Sequence, residues 1–260
     1  MTSDERVVET LSGPGLMMRF SLVPPDTRAF GFPVAQIDEI ELGRGADPDP
    51  TVARFVAWLE AQEVRLVSCR LDSLRLEETM LLEDLGFRFV EMVYRPVLRS
   101  LPTDEAGDDE LVLSEATAAD QAELVAMASS VFATGRHVLD PRLEPEAGHQ
   151  RYGRWLEGAL TGDDQLVLKA TIGGVPVGFF VVEERPDGSA YWHLTAVAPE
   201  WQGRGVGQRI WQAVIARHQA AGVRRIETTV SAHNTPIINL YAGLGFRFTA
   251  PQVTFHWWRM

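Results

Sequence analysis

Three glycines alternate with other residues in Gln202-Gly203-Arg204-Gly205-Val206-Gly207. Glycine admits left-handed backbone and lets peptide groups approach a ligand closely. If such a loop opens a helix, the unpaired N–H groups and the positive end of the helix dipole can hold a phosphate. The loop is not a P-loop, because no Gly-Lys-Ser/Thr follows, and the third glycine of a GxGxxG dinucleotide fingerprint would fall at Gln208. Further along, Asn234 and Tyr241 lie seven positions apart, about two helical turns, so both can face one ligand from the same side of a helix. The single cysteine, Cys69, excludes intramolecular disulfides and CxxC sites, and the six histidines show no close ligand spacing, so no metal is expected.

These residues need strands and helices to carry them. SAYWHLTAV (189–197) reads as a strand running into the glycine loop, followed by a helix with Ile210, Trp211, Val214 and Ile215 on one face and then by the strand RRIETTV. A helix from Thr235 to about Gly243 ends before Gly245, a residue type suited to the left-handed position after a helix, and two strands, FRFTA and VTFHWWRM, follow. Upstream, LVLSEA (111–116) reads as a strand, and Thr117 with Asp120 forms a capping box that opens a helix through Phe132. Residues 133–148 read as irregular and a helix is expected over 149–160; two apolar strands joined at Gly173-Gly174 then form a hairpin.

The 260 residues, 45% apolar and 23% charged, suffice for one large core or two ordinary ones. An acidic, turn-rich stretch at 101–110 reads as a linker between an N-terminal module (1–100) and a C-terminal one (111–260). Leu85-Gly86-Phe87-Arg88-Phe89 recurs as Leu244-Gly245-Phe246-Arg247-Phe248, 159 positions later, and the same offset aligns a helix and a strand on either side, which points to an internal duplication. The net charge of −12 disfavours binding to nucleic acid or to an anionic membrane, and suits a cationic or amine-bearing partner. No apolar run reaches membrane-spanning length and the first residues lack a signal-like region, so a cytoplasmic protein is expected.

Taken with the preceding LTAVAPEW and the later SAHNTPIINLYAGLGFRF, the glycine loop resembles motif A, and the later segment motif B, of the GNAT superfamily of acyl-CoA N-acyltransferases. The resemblance covers about residues 111–260. It implies two related modules with twisted, mainly antiparallel sheets flanked by helices, a mixed α/β fold whose N-terminal copy is truncated. It implies acetyl-CoA as co-substrate, its pyrophosphate on Gln202, Gly203, Arg204, Gly205, Val206 and Gly207, its pantetheine arm on the backbone of Thr195, Ala196 and Val197 and on Asn234. Tyr241 would protonate the departing thiolate, and a small-molecule amine would be acetylated directly. His193 and Glu183 or Glu184 are candidates for the base, beside the alternative of a satisfied histidine and solvated glutamates. In the first half, Arg75 and Leu82 stand at the positions of Asn234 and Tyr241, and LGRGADPDP (42–50) replaces the glycine loop, so that copy reads as degenerate.

A partial module before a full one is similar to the dTDP-fucosamine acetyltransferases, which act on a nucleotide-linked amino sugar. Within residues 131–160, Phe132, Arg136, His137, Asp140, Pro141, Tyr152 and Trp155 carry that narrower resemblance, and it makes Arg136, His137, Tyr152 and His193 substrate-binding candidates, with Arg142 a second partner for a diphosphate. Other acceptors stay open (an antibiotic, a polyamine, an amino acid, a protein amine), as does a non-catalytic acyl-CoA sensor. Oligomeric state is not legible.

Overall fold

The computed structural model describes residues 7–43, 45, 47–101 and 110–259. Residues 102–109, most of the expected linker, lie outside the described residues. The chain divides into a first unit, Met1–Met92 with Ala250–Met260, and a second unit, Val93–Thr249. The expected division between residues 100 and 111 differs from this one at both ends, because a short strand and the last strand each join the sheet of the other half.

The first unit contains β1 (Val8–Gly13), β2 (Leu16–Leu22), α1 (Pro24–Phe30), β3 (Val34–Leu42), α2 (Asp49–Ala61), β4 (Leu66–Asp72), α3 (Leu76–Asp84) and β5 (Arg88–Tyr94). Its sheet runs β1-β2-β3-β4-β14-β5-β12, where β14 is Gln252–Trp258 and β12 is the two-residue strand Val230–Ser231 that pairs with Tyr94 and Val93. Seven residue pairs, from Gln252↔Asp72 to Trp258↔Leu66, hold β14 antiparallel to β4. Leu16, Met18 and Phe20 alternate inward along β2, and Thr51, Phe55 and Leu59 make one stripe of α2, so strand and helix periodicities meet in a single core.

In the second unit, β6 (Pro96–Leu98) and β7 (Leu111–Glu115) precede α4 (Gln121–Val131), α5 (Arg136–Leu139) and α6 (Pro145–Thr161). Then come β8 (Leu166–Ile172), β9 (Val175–Glu184), β10 (Ser189–Val197), α7 (Val206–Ala220), β11 (Arg225–Thr228), β12 (Val230–Ser231), α8 (Thr235–Gly243) and β13 (Arg247–Phe248). The sheet order is β13-β6-β11-β10-β9-β8-β7. The capping box forms as expected, with Thr117 N–H donating to Asp120 Oδ2 at 2.7 Å. The stretch expected to be irregular holds α5, and α6 begins at Pro145 because proline is well placed in a first helical turn.

Both sheets are mainly antiparallel among the described strand pairs, with β3–β4 and β10–β11 running parallel. Backbone detail repeats at the offset of 159. After α3, Phe87 N–H donates to Leu82 O, as Phe246 does to Tyr241 O after α8, and Gly86 (φ 85°) matches Gly245 (φ 87°). Behind α2 the left-handed position is held by Glu63 (φ 52°), where α7 is followed by Gly222 (φ 80°).

Candidate active site

β10 and β11 pair in parallel for only four residues, Ser189–Trp192 with Arg225–Thr228. Beyond Trp192, β10 runs on to Val197 beside β9 alone, while β12 turns away to pair with Tyr94 and Val93. The last rung is completed by Thr228 Oγ1 donating to Trp192 O at 2.8 Å. From residue 193 to 197 one edge of β10 therefore presents backbone groups with no strand beside them among the described residues, the kind of edge to which an extended chain can add.

The opened edge leads to α7. Gly205 occupies its N-cap with φ 77° and provides no side-chain cap, so the N–H groups of the first turn lack intrahelical acceptors. Gly203 (φ 73°) and Gly205 both face open space where a Cβ would point. An anionic group fits there, on uncapped donors at the positive end of a fifteen-residue helix. Arg204 is exposed, whereas Val206 is buried in the core. Gln202 uses its side-chain amide to donate to Val197 O at 2.9 Å, which fastens the loop to the end of the strand.

At the parting of the strands stands Tyr241, 1% exposed on α8. Burial raises its phenol above the ordinary value, and the side chains of Thr195, Thr228 and Trp211 act in the opposite direction. Asn234 caps α8, its Oδ1 accepting from Ile237 N–H at 3.4 Å, an arrangement that leaves the Nδ2 donors out of the cap.

A β-bulge lies at His193, where the β9 register slips between Trp192 and Leu194. Because of it, Trp192 packs with Trp211 and Tyr241 in one layer, while Leu194 and Ala196 pack with α4 and α6 in the other. His193 Nε2 meets Glu183 Oε2 at 2.8 Å. Its imidazole sits 4.7 Å from the ring of Tyr191 and 5.7 Å from that of Trp155 on α6. Burial lowers the His193 pKa, against the pull of Glu183. Arg185 and then His193 hold the Glu183 carboxyl below its ordinary value despite some burial.

The remaining acceptor candidates are placed differently. His137 (2% exposed) and Tyr152 (9%) are interior; Tyr152 stacks on Phe132 at 4.5 Å, and its hydroxyl occupies the space a side chain on Gly135 would need. Arg136 Nε donates to His137 Nε2 at 3.1 Å. Arg142 makes two hydrogen bonds, 2.8 and 2.9 Å, to the buried carboxylate of Asp140, so its charge is already matched. Among the described residues no group of three or more His, Cys, Asp or Glu side chains could hold a metal ion. Sequence reasoning missed Thr228, Trp211, Tyr191 and the bulge itself; Trp155 was noted, but not as a neighbour of His193. The burial alternation along 190–197 is unbroken and carries no sign of the slip.

The profile of the Acetyltransferase (GNAT) family matches residues 107–246. The chain belongs to the GNAT acetyltransferase family. It is similar to a spore coat polysaccharide biosynthesis protein of Bacillus subtilis, 24% identical over 132 residues that make up 51% of this chain and 45% of that protein. It is also similar to the L-2,4-diaminobutyric acid acetyltransferase of Methylotuvimicrobium alcaliphilum, 32% identical over 83 residues, or 31% of this chain and 48% of that one. The chain thus spans under half the length of these relatives. The fold is shared with a tandem GNAT protein from the clavulanic acid biosynthesis pathway, at TM-score 0.63 and 16% identity, over 97% of this chain and 83% of that one.

Proposed function

We propose that this GNAT protein transfers an acetyl group from acetyl-CoA to the primary amine of a small molecule. The observation that carries the reading is the opened edge of β10, which leads into the uncapped first turn of α7 with the Tyr241 hydroxyl beside it. The first turn of α7, with Gly203 and Gly205, would hold the pyrophosphate, and the backbone of Thr195, Ala196 and Val197 would pair with the pantetheine arm. When bound, the coenzyme supplies an activated acyl carbon and a thiolate leaving group. Backbone N–H groups near Ala196 and Val197 polarise the thioester carbonyl, and Tyr241 returns a proton to the sulfur. The only cysteine, Cys69, is buried in the first unit with its thiol pushed up to about 12 by burial, so it is no acyl carrier.

For the acceptor, the names of the relatives supply a small diamine and a polysaccharide pathway. A nucleotide-linked amino sugar is anionic, and the pairing of Arg142 with Asp140 weakens the basic set such a ligand needs. A compact amine, including a simple amino sugar, fits better. A cytoplasmic setting belongs to the same proposal.

The test is thiol release from acetyl-CoA by purified protein, with 2,4-diaminobutyrate, glucosamine, dTDP-4-amino-6-deoxy sugars, polyamines, aminoglycosides and short peptides. Release with a compact amine is expected. Silence across the panel, with acetyl-CoA bound by calorimetry, would overturn the reading in favour of a sensor.

A further inference from the structure

We propose that the imidazole of His193 is the base that takes the proton from the acceptor amine, with Glu183 as its positioning residue. This rests on the acetyl-transfer reading above. The bulge turns His193 toward Trp155 of α6, whereas Thr195, two residues on, reaches the Tyr241 hydroxyl on the other side of the sheet. The opened edge of β10 thus has a proton acceptor on one face and a proton donor on the other.

The pair is built for the task. An ionised carboxylate can only accept, so Glu183 Oε2 fixes the imidazole proton on Nε2 and leaves the Nδ1 lone pair to act as base. The groups facing His193 are Glu183 from β9, Arg185 just beyond its end, Tyr191 from β10 and Trp155 from α6, which itself meets Arg151 and Gln165; Arg185 in turn binds Glu227, which also pairs with Arg225. With burial outweighing Glu183, the ring is neutral at pH 7, the form a base requires. In the step, the amine nitrogen bonds to the acyl carbon as its N–H proton passes to Nδ1. The C–S bond breaks with its electron pair on sulfur, Tyr241 protonates that sulfur, and solvent carries the proton from His193 back to the phenolate.

The first unit contains the same contact without the base. Its sheet has a bulge at the matching position of β3, Asp38, and there Ser21 Oγ donates to Asp38 Oδ2 at 3.2 Å. Ser21 pairs with Gln36 as Glu183 does with Tyr191. The frame brings two side chains together in both copies; only the second copy supplies an imidazole.

The experiment uses the full chain, acetyl-CoA, and 2,4-diaminobutyrate and glucosamine as probe amines. His193→Gln is expected to lower kcat about a hundredfold, to abolish the acid limb of the pH profile and to leave acetyl-CoA affinity within twofold. Added imidazole should restore part of the rate in His193→Ala. Glu183→Gln should lower kcat several-fold and move the acid limb to lower pH, since the carboxylate favours the imidazolium, and an NMR titration of the His193 ring should show the same shift. A His193→Gln rate and pH profile like those of the wild type overturn the base assignment alone. If the wild type releases no thiol with either amine or with the wider panel, the functional reading fails, and the base with it.

Discussion

At the point where the parallel strands part, the second unit has Thr228, Tyr241 and His193, and the first unit has Cys69, Leu82 and Asp38. Both copies open a strand edge there: β3 pairs with β4 only from Val34 to Ile37 and then runs to Leu42 beside β2. What becomes of the edge differs. In the first unit Glu78 accepts from Leu42 N–H at 3.4 Å and is paired with Arg75. Burial acts to raise the Glu78 carboxyl, but Arg75 and the backbone donors outweigh it and hold it ionised. The matching residue of α8 is Ile237, which has no acceptor to offer. A groove of about 570 Å³ remains beside Leu42, Gly43, Arg75 and Glu78, with two carboxylates, Glu41 and Glu78, on its wall. With Arg75 matching Glu78, the Glu41 carboxylate leaves the wall net negative, which disfavours a pyrophosphate. The frame and its glycine turns are thus separable from the chemistry, which resides in a few side chains placed on that frame.

The sharpest way to break this comparison is to charge the two loops in turn. Gly205→Glu is expected to weaken acetyl-CoA binding at least about a thousandfold, since like charges about 4 Å apart at an effective dielectric near 20 repel by about 4 kcal/mol. Gly45→Glu, in the first unit, should leave affinity unchanged, and calorimetry should give one equivalent of acetyl-CoA per chain. Two equivalents would remove the distinction between the units.

The next effect is on stability. His218, on α7 at the place of Leu59 on α2, is fully buried, accepts from Trp192 Nε1 at 3.0 Å, and has its pKa lowered to about 4 by desolvation and then by Arg217. A group depressed in this way binds its proton more readily in the unfolded chain, so stability is full above about pH 6.5 and is lost as pH falls toward 4, by about 3 kcal/mol. Urea unfolding at several pH values should show that slope, and His218→Gln should flatten it; a slope retained in the variant would place the sensitivity elsewhere.

Tyr241→Phe should lower kcat tenfold or more, about 1.4 kcal/mol of barrier, with acetyl-CoA affinity nearly intact. Steady-state thiol release checks it, and unchanged turnover from pH 6 to 9 would remove the residue as the acid. The smallest effect concerns Glu63, whose left-handed φ of 52° strains a side chain that Gly222 lacks in the second unit. Glu63→Gly should stabilise by about 0.5–1 kcal/mol in thermal melts, and Gly222→Ala should destabilise by a similar amount.

Much of this was legible in the residues. The glycine loop, the helix carrying Asn234 and Tyr241, and the duplication all follow from local pattern, because turn chemistry and helix periodicity are short-range. The meeting of His193 with Glu183 was not, since it depends on a one-residue slip in register that leaves the burial alternation intact. His137, in a segment read as irregular, and Tyr152, in an expected helix, both gave a polar signal, yet α4, α5 and α6 bury them; an aromatic flanked by charges does not say which side faces water. Nor could pattern alone say to which sheet VTFHWWRM belongs, since a strand's alternation records that it is buried and not beside whom.

That last strand has a consequence for how the chain comes to be. The first unit's sheet has a place between β4 and β5 that only residues 252–258 fill. On a ribosome adding roughly 5–20 residues per second, β5 emerges some ten to thirty seconds before its neighbour β14. Throughout that interval the first unit is a nascent domain with a gap in its sheet and two unsatisfied strand edges, open to chaperones or to mispairing. Its completion waits on nearly all of the second unit's synthesis, so the first unit, though made first, is among the last parts to become whole.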